Sequence, residues 1–172
     1  MTNRNASFTR SIPAVYDQDL GPMFFEPYAR DLAGRVTVGE DASVLEVAAG
    51  TGIVTRHLHE ALPSTTRLVV TDLNEAMLDL ARRKIPVNPR IQWRAADAAA
   101  LPFGDGSFDA AVCRFGLMFF PDKPAALREL HRVLNPTVVM HAVAARLATE
   151  GGASPMRLPM RALVFAANRS HT

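Results

Sequence analysis

Residues 43–55, Ser-Val-Leu-Glu-Val-Ala-Ala-Gly-Thr-Gly-Ile-Val-Thr, restrict what this chain can fold into more than any other stretch. Val44 to Val47 is a short β-branched and aliphatic run that carries one carboxylate, Glu46, and breaks into a turn of small residues. Ile53, Val54, His57, Leu58, Ala61 and Leu62 then repeat at helical spacing. Strand, glycine-containing turn and helix, in that order, make the first unit of the α/β folds that bind nucleotides. Small residues let backbone approach a ligand closely, and a helix start offers unpaired N–H donors. Twenty residues after Gly52, a second apolar run, Leu68-Val69-Val70-Thr71, ends in Asp72. A carboxylate at that point is placed to accept hydrogen bonds from ribose hydroxyls.

The turn narrows the ligand. A dinucleotide fingerprint requires three glycines in G-x-G-x-x-G, whereas Ala48-Ala49-Gly50-Thr51-Gly52-Ile53-Val54 holds two. Glu46 would repel a phosphate and attract a cation. S-adenosylmethionine (SAM) meets both conditions, with a ribose and an adenine, no phosphate, a sulfonium and an ammonium. Across about residues 12–136 the chain resembles the class I SAM-dependent methyltransferases, in particular the small-molecule, ubiquinone-biosynthesis-like group. The resemblance is carried, in order, by VLEVAAGTGIVT, VVTDLNEAMLDLA, RAADAAALPFGDGSFDAAVCRFGLMFF and RELHRVLNP. Ala48 departs from it, standing where many relatives have the first glycine of the turn.

Strands and helices alternate along the rest of the chain, which argues for a parallel sheet. Residues 12–37 carry Tyr16, Phe24, Phe25 and Tyr28, broken by Pro22 and Pro27, and read as a helix or a broken pair of helices. The resemblance implies that this segment packs over the cofactor pocket as a lid, to which Tyr16 could belong; core packing is the competing role for these aromatics. Residues 67–72 form a second strand. Asn74 caps a helix whose face is Met77, Leu78, Ala81 and Ile85, stopped by Pro86. Residues 90–95 and 108–113 read as third and fourth strands. Pro121 to Pro124 open a helix with Leu127, Leu130, Val133 and Leu134 on one face, closed by Pro136.

After Pro136 the pattern departs from the family, whose members continue with Gly-Gly, a fifth strand, an acceptor-binding insert and two last strands. Here residues 137–147, then Gly151-Gly152, then residues 159–165 look similar to the last helix and last strand of full-length relatives. An internal loss of the fifth and sixth strands explains this. Residues 137–147 are read as helix because Val139, Val143, Ala144 and Leu147 share a face. The competing reading makes Thr137 to Met140 a substitute fifth strand, from its β-branched residues. With the fifth strand lost, the fourth would keep an unpaired edge, so residues 161–166 are expected to cover it, from the same chain or from a second copy in a homodimer.

With 172 residues, 48% apolar and 21% charged, the chain suits a single soluble domain with a real core. It divides into a helical lid (1–37), a SAM-binding core (43–136) and a remnant helix and strand (137–172). The net charge is +2 and charges are scattered, with no basic block interleaved with aromatics, so no nucleic-acid partner is expected. One cysteine, Cys113, leaves no intrachain disulfide, and no stretch has a membrane-spanning length, which makes the cytoplasm the default compartment.

Each candidate site residue has a plainer role beside it. Asp72 for the ribose could be only a helix cap. Leu73 and Met77, beside the adenine, could be core. Asp97, with Ala98, matches the family position that accepts the adenine amino group, though a loop carboxylate is often merely solvated. Glu46 would organise the amino-acid end of SAM or be a buried carboxylate satisfied by backbone. Ala48, Gly50, Thr51 and Gly52 form the turn the ligand approaches. Arg114 and Phe115 end the fourth strand, at the mouth of an open sheet. No general acid or base can be assigned, since His57, His59 and His131 lie on helices, and no metal-ligand cluster is present. Cys113 has no preceding proline, and the Asp/Asn-Pro-Pro-Tyr/Phe signature of amino-group methylases is absent. A small-molecule acceptor reacting through oxygen or carbon remains. The alternatives are a non-catalytic binder of SAM or its demethylated product and, further off, a nicotinamide-dependent oxidoreductase.

Overall fold

The computed structural model describes residues 25–136 in full and the backbone of two strands, 138–146 and 161–169. The elements run α1 (Glu26–Arg35), β1 (Ser43–Val47), α2 (Ile53–Ala61), β2 (Arg67–Asp72), α3 (Glu75–Lys84), β3 (Ile91–Ala95), β4 (Ala110–Cys113), a 3₁₀ turn (Gly116–Phe119), α4 (Lys123–Val133), β5 (Val138–Arg146) and β6 (Arg161–Arg169). Strands β1 to β4 form one sheet in the order β3-β2-β1-β4, and every pairing in it is parallel. The chain starts the sheet near its middle, lays β2 and β3 to one side, then crosses back to place β4 on the other. That reversal opens a crevice at the carboxyl ends of β1 and β4.

Alternation along each strand builds the core. Val44, Leu68, Val70, Ala110 and Val112 look to one face, where Ala29, Leu32 and Ala33 of α1, Val54 and Leu58 of α2 and Leu78 of α3 cover them. Leu45, Val47, Val69, Ala111 and Cys113 look to the other, onto Ala126, Leu130 and Val133 of α4. A strand covered on both sides favours apolar residues at most positions, which is why β2 and β4 read as near-continuous apolar runs and β1 does so except at Glu46. Full burial of each such Leu or Val contributes about 1.5–3 kcal/mol. Helix ends follow local chemistry. The Asn74 side chain accepts the Ala76 N–H at 3.0 Å, and Asp122 accepts that of Ala125 at 2.8 Å, each satisfying a first-turn donor.

The α/β architecture and its parallel sheet are as expected, with helices on both faces. Two boundaries differ. The fourth strand is shorter than 108–113: Phe108 makes an isolated bridge to Leu134, and the Asp109 carboxylate turns back to accept the Ser43 N–H at 2.9 Å. The larger correction is residues 138–146, expected as helix and found as strand β5. It pairs antiparallel with β6 over nine residues, from Val138 opposite Arg169 to Arg146 opposite Arg161. Val138, Val139 and Val143 suit either conformation locally, and a partner distant in sequence decides for the strand. β6 (Arg161–Arg169) comes close to β4 within the same chain, but it pairs with β5 in a sheet of its own and forms no ladder with the β4 edge. Residues 1–24, with Tyr16 and Phe24, lie outside the described residues.

Candidate ligand-binding site

The loops following β1, β2, β3 and β4 converge on a cavity of about 470 Å³, with Phe25 at the start of α1 forming another wall. The volume is that of a cofactor or drug-sized ligand pocket. The residues singled out from sequence line it, Glu46, Ala48, Gly50, Thr51, Asp72, Leu73, Met77, Asp97, Ala98, Arg114 and Phe115, with the exception of Gly52.

Gly52 has a different task. Its φ of 82° starts α2 from a left-handed conformation, and a Cβ there would lie 2.8 Å from Ala81 Cβ on α3. It lets α2 and α3 pack closely and does not face the ligand. Gly50, at φ 58°, faces open space, so a side chain at this position would occupy the cavity itself. Ala48 is also left-handed, at φ 56°, which costs a non-glycine residue about 1 kcal/mol. Gly116 accommodates its methyl group: a Cβ on Gly116 would come within 2.4 Å of Ala48 Cβ. The alanine in place of the family glycine is therefore matched by a glycine across the crevice.

Asp72 is a clamp as well as a lining residue. Its Oδ2 accepts the Gly50 N–H and its Oδ1 the Asn74 N–H, both at 2.8 Å. One carboxylate thereby ties the glycine turn to the loop after β2. Burial raises its pKa from the ordinary carboxylate value, against the pull of N–H donors from Asn74, Gly50 and Leu73.

Glu46 lies at the cavity floor, 1% exposed, and its Oε2 has no hydrogen-bond partner. Burial pushes its pKa up to about 8; Thr55 and the Arg114 charge oppose that rise, and Asp72 adds to it. The Thr55 hydroxyl, also buried, makes no hydrogen bond of normal geometry. A buried, unpaired carboxylate oxygen on a cavity-lining residue is a receptor for a cationic donor.

The opposite wall is aromatic. The Phe115 ring, carried on a left-handed backbone at φ 55°, meets Phe25 edge-on at 5.4 Å and Tyr28 at 5.8 Å. The Arg114 guanidinium sits 5.1 Å from the Phe25 ring centre and 4.8 Å from that of Phe115. Leu73 and Phe119 line the cavity while remaining about half exposed, which makes its mouth apolar. Asp97 is exposed, and its Oδ1 accepts the Ala99 N–H at 2.8 Å, shaping the loop after β3.

Phe25, Asn74, Phe119, Phe120 and Pro121 also line the cavity and were not named as site residues from sequence. For Phe25 the signal was present in the aromatic-rich segment; for Phe119 and Phe120 it lay in the run Leu117-Met118-Phe119-Phe120, too apolar for an ordinary surface loop. Among the described residues no histidine lines the cavity and no cluster could hold a metal ion. Cys113, buried beneath the site, has its thiol pushed up to about 12 by burial and is held inert.

The family model for the methyltransferase domain matches residues 44–137, which carry every strand of this sheet and most of the cavity. The chain belongs to this methyltransferase family. It is 36% identical over 132 residues to the ubiquinone/menaquinone biosynthesis C-methyltransferase UbiE of Hahella chejuensis, covering 73% of this chain and 53% of the relative. It thus spans about half the length of that curated relative. A SAM-dependent methyltransferase from Aquifex aeolicus superposes with a TM-score of 0.67 at 17% identity, over 93% of this chain and 98% of the other. The cyclase SpnF superposes with a TM-score of 0.59 at 23% identity, over 68% and 44%. Such structural likeness at low identity concerns the class I fold, which serves more than one chemistry. Among the described residues no helix is long and apolar enough to cross a membrane.

Proposed function

We propose that the chain binds SAM in this cavity and transfers its methyl group to a small, largely apolar organic acceptor. The observation that carries this reading is Glu46: a buried carboxylate with an unpaired oxygen, lining the cavity, on a methyltransferase-family scaffold. It fits an ammonium and disfavours a diphosphate. In this reading Glu46 receives the amino group of the ligand and Asp72 the ribose hydroxyls. Leu73 and Met77 pack on the adenine, and Asp97 with the backbone of Ala98 recognises its edge. Gly50 and Thr51 let the ligand come close to the turn.

SAM supplies an electrophilic methyl group on a sulfonium. What the residues of this chain contribute is placement and dryness. Phe25, Phe115, Phe119 and Phe120 exclude water from the approach to the methyl group, and the loops on either side of the crevice hold two reactants in line. With no ionisable base assigned, the acceptor is expected to bring its own nucleophilic carbon or oxygen. The UbiE relative is named a C-methyltransferase of quinone biosynthesis, and an electron-rich aromatic ring suits this apolar mouth.

The chain's span of about half that relative supports a second reading, a SAM binder without turnover. Calorimetric titration with SAM and with NAD on one preparation tests the first step; SAM is expected to bind and NAD to bind far more weakly. Preferential NAD binding would overturn the assignment. Transfer of labelled methyl to phenolic and quinol acceptors then separates enzyme from binder.

A further inference from the structure

The aromatic wall rests on an ion cluster outside the cavity. Glu26 is the first residue of α1, next to Phe25, and its Oε1 lies 2.7 Å from Nε2 of His57 on α2. The same oxygen accepts from Arg56 Nη2 at 2.6 Å. His57 is buried, with its side chain 8% exposed, and its Nδ1 faces Glu60 Oε2 at 3.8 Å. Burial works against ionisation of Glu26, but hydrogen bonds from His57 and Arg56 outweigh it and hold the carboxyl below its usual range. Helix α1 also packs into the core through Ala29, Leu32 and Ala33, whose apolar contacts are not directional. The Glu26 contacts are directional and sit at the end of α1 that carries Phe25.

We propose that Glu26 is a positioning residue of the ligand site: its pairing with His57 and Arg56 latches the start of α1 so that Phe25 closes the cavity against Phe115 and Arg114. The inference rests on the SAM-binding reading above, since Phe25 is taken as a wall of that pocket. The path is short and continuous. Residues on α2 hold Glu26, the backbone carries the constraint to Phe25, and the Phe25 ring packs on Phe115 and the Arg114 guanidinium. Those two residues end the strand beside β1, the strand that bears Glu46. None of Glu26, Arg56 and His57 lines the cavity, and Phe25 is the lining residue adjacent to Glu26.

A mutant cycle on SAM affinity tests this. Glu26→Ala is expected to weaken SAM binding about tenfold in the otherwise native chain and to leave it unchanged in a Phe25→Ala background. Glu26→Gln, which keeps an acceptor for His57, should recover part of the loss. An equal loss in both backgrounds would make the cluster merely structural and overturn the proposal, and so would no loss in either. A second readout needs no ligand. With Trp93, the single tryptophan, changed to Phe, a Phe25→Trp reporter should emit further to the red when Glu26→Ala is added. An unshifted spectrum in the folded variant would also overturn the latch. If the native chain fails to bind SAM while the reporter shifts, the functional reading falls and the latch stands.

Discussion

Glu46 and Asp72 are both buried carboxylates at the carboxyl end of the sheet, and they differ in what already satisfies them. Asp72 spends an oxygen on each of two backbone donors, so its loss should loosen two loops as well as remove a ligand contact. Asp72→Ala is expected to weaken SAM binding roughly ten- to a hundredfold, from about 1.5–3 kcal/mol for a charged hydrogen bond. It should also lower the melting temperature. Equal affinity by calorimetry would remove Asp72 from the site. Glu46 has an oxygen without a hydrogen-bond partner and holds a proton more tightly than an unfolded carboxyl, with a pKa pushed up to about 8 from 4.5. Its contribution to the ligand-free fold is therefore full below about pH 4.5 and is lost as pH rises through about 8. A cationic ligand favours the ionised form, so binding should release about one proton at pH 7 and tighten as pH rises from 6 to 8. Calorimetry in two buffers of different ionisation enthalpy measures that release. Identical heats, or an unchanged difference in Glu46→Gln, would rule the linkage out.

At the level of elements, the glycines of the turn do separate work. Gly52 serves the contact between α2 and α3, and Gly52→Ala should cost about 1–3 kcal/mol of stability from overpacking against Ala81, with strain at positive φ adding to it. Ligand affinity in the fraction that folds should be nearly unchanged. Gly50→Val should do the reverse of this on affinity, abolishing SAM binding while most helix signal remains, because its side chain enters the cavity. Normal affinity in a folded Gly50→Val protein would show that the turn is not the pocket floor. Ala48 and Gly116 form a complementary pair across the crevice. Gly116→Ala should destabilise the chain, and Ala48→Gly in the same chain should restore much of the loss. Additive effects in thermal melts would contradict the pairing.

For the whole molecule, the cavity-lining residues among those described in full fall between Phe25 and Pro121. The tail lies beside β4, an apolar strand at the sheet edge, while β5 and β6 pair only with each other. A chain ended after Pro136 is thus expected to retain the ligand site but to aggregate more readily through that edge. Sedimentation and SAM titration of the shortened chain check both halves. Loss of affinity in a monomeric, folded sample would show that β5 and β6 support the site.

Wherever a feature depends on neighbours within a few residues, the amino-acid sequence alone determined it. The apolar runs of β1 and β2, the Asn74 cap, the start of α4 near Pro124 and the carboxylate ending β2 follow from local sterics and hydrogen bonding. So does most of the cavity lining, because an open parallel sheet brings the ends of its strands together whatever the loops contain. Tertiary structure decided three other matters. Gly52 serves a helix contact rather than the ligand because Ala81, nearly thirty residues on, comes against it. Phe25 becomes a cavity wall because α1 folds back on α2 through Glu26 and His57. Residues 138–146 are strand because their hydrogen-bond partners lie on β6, beyond the reach of any local periodicity.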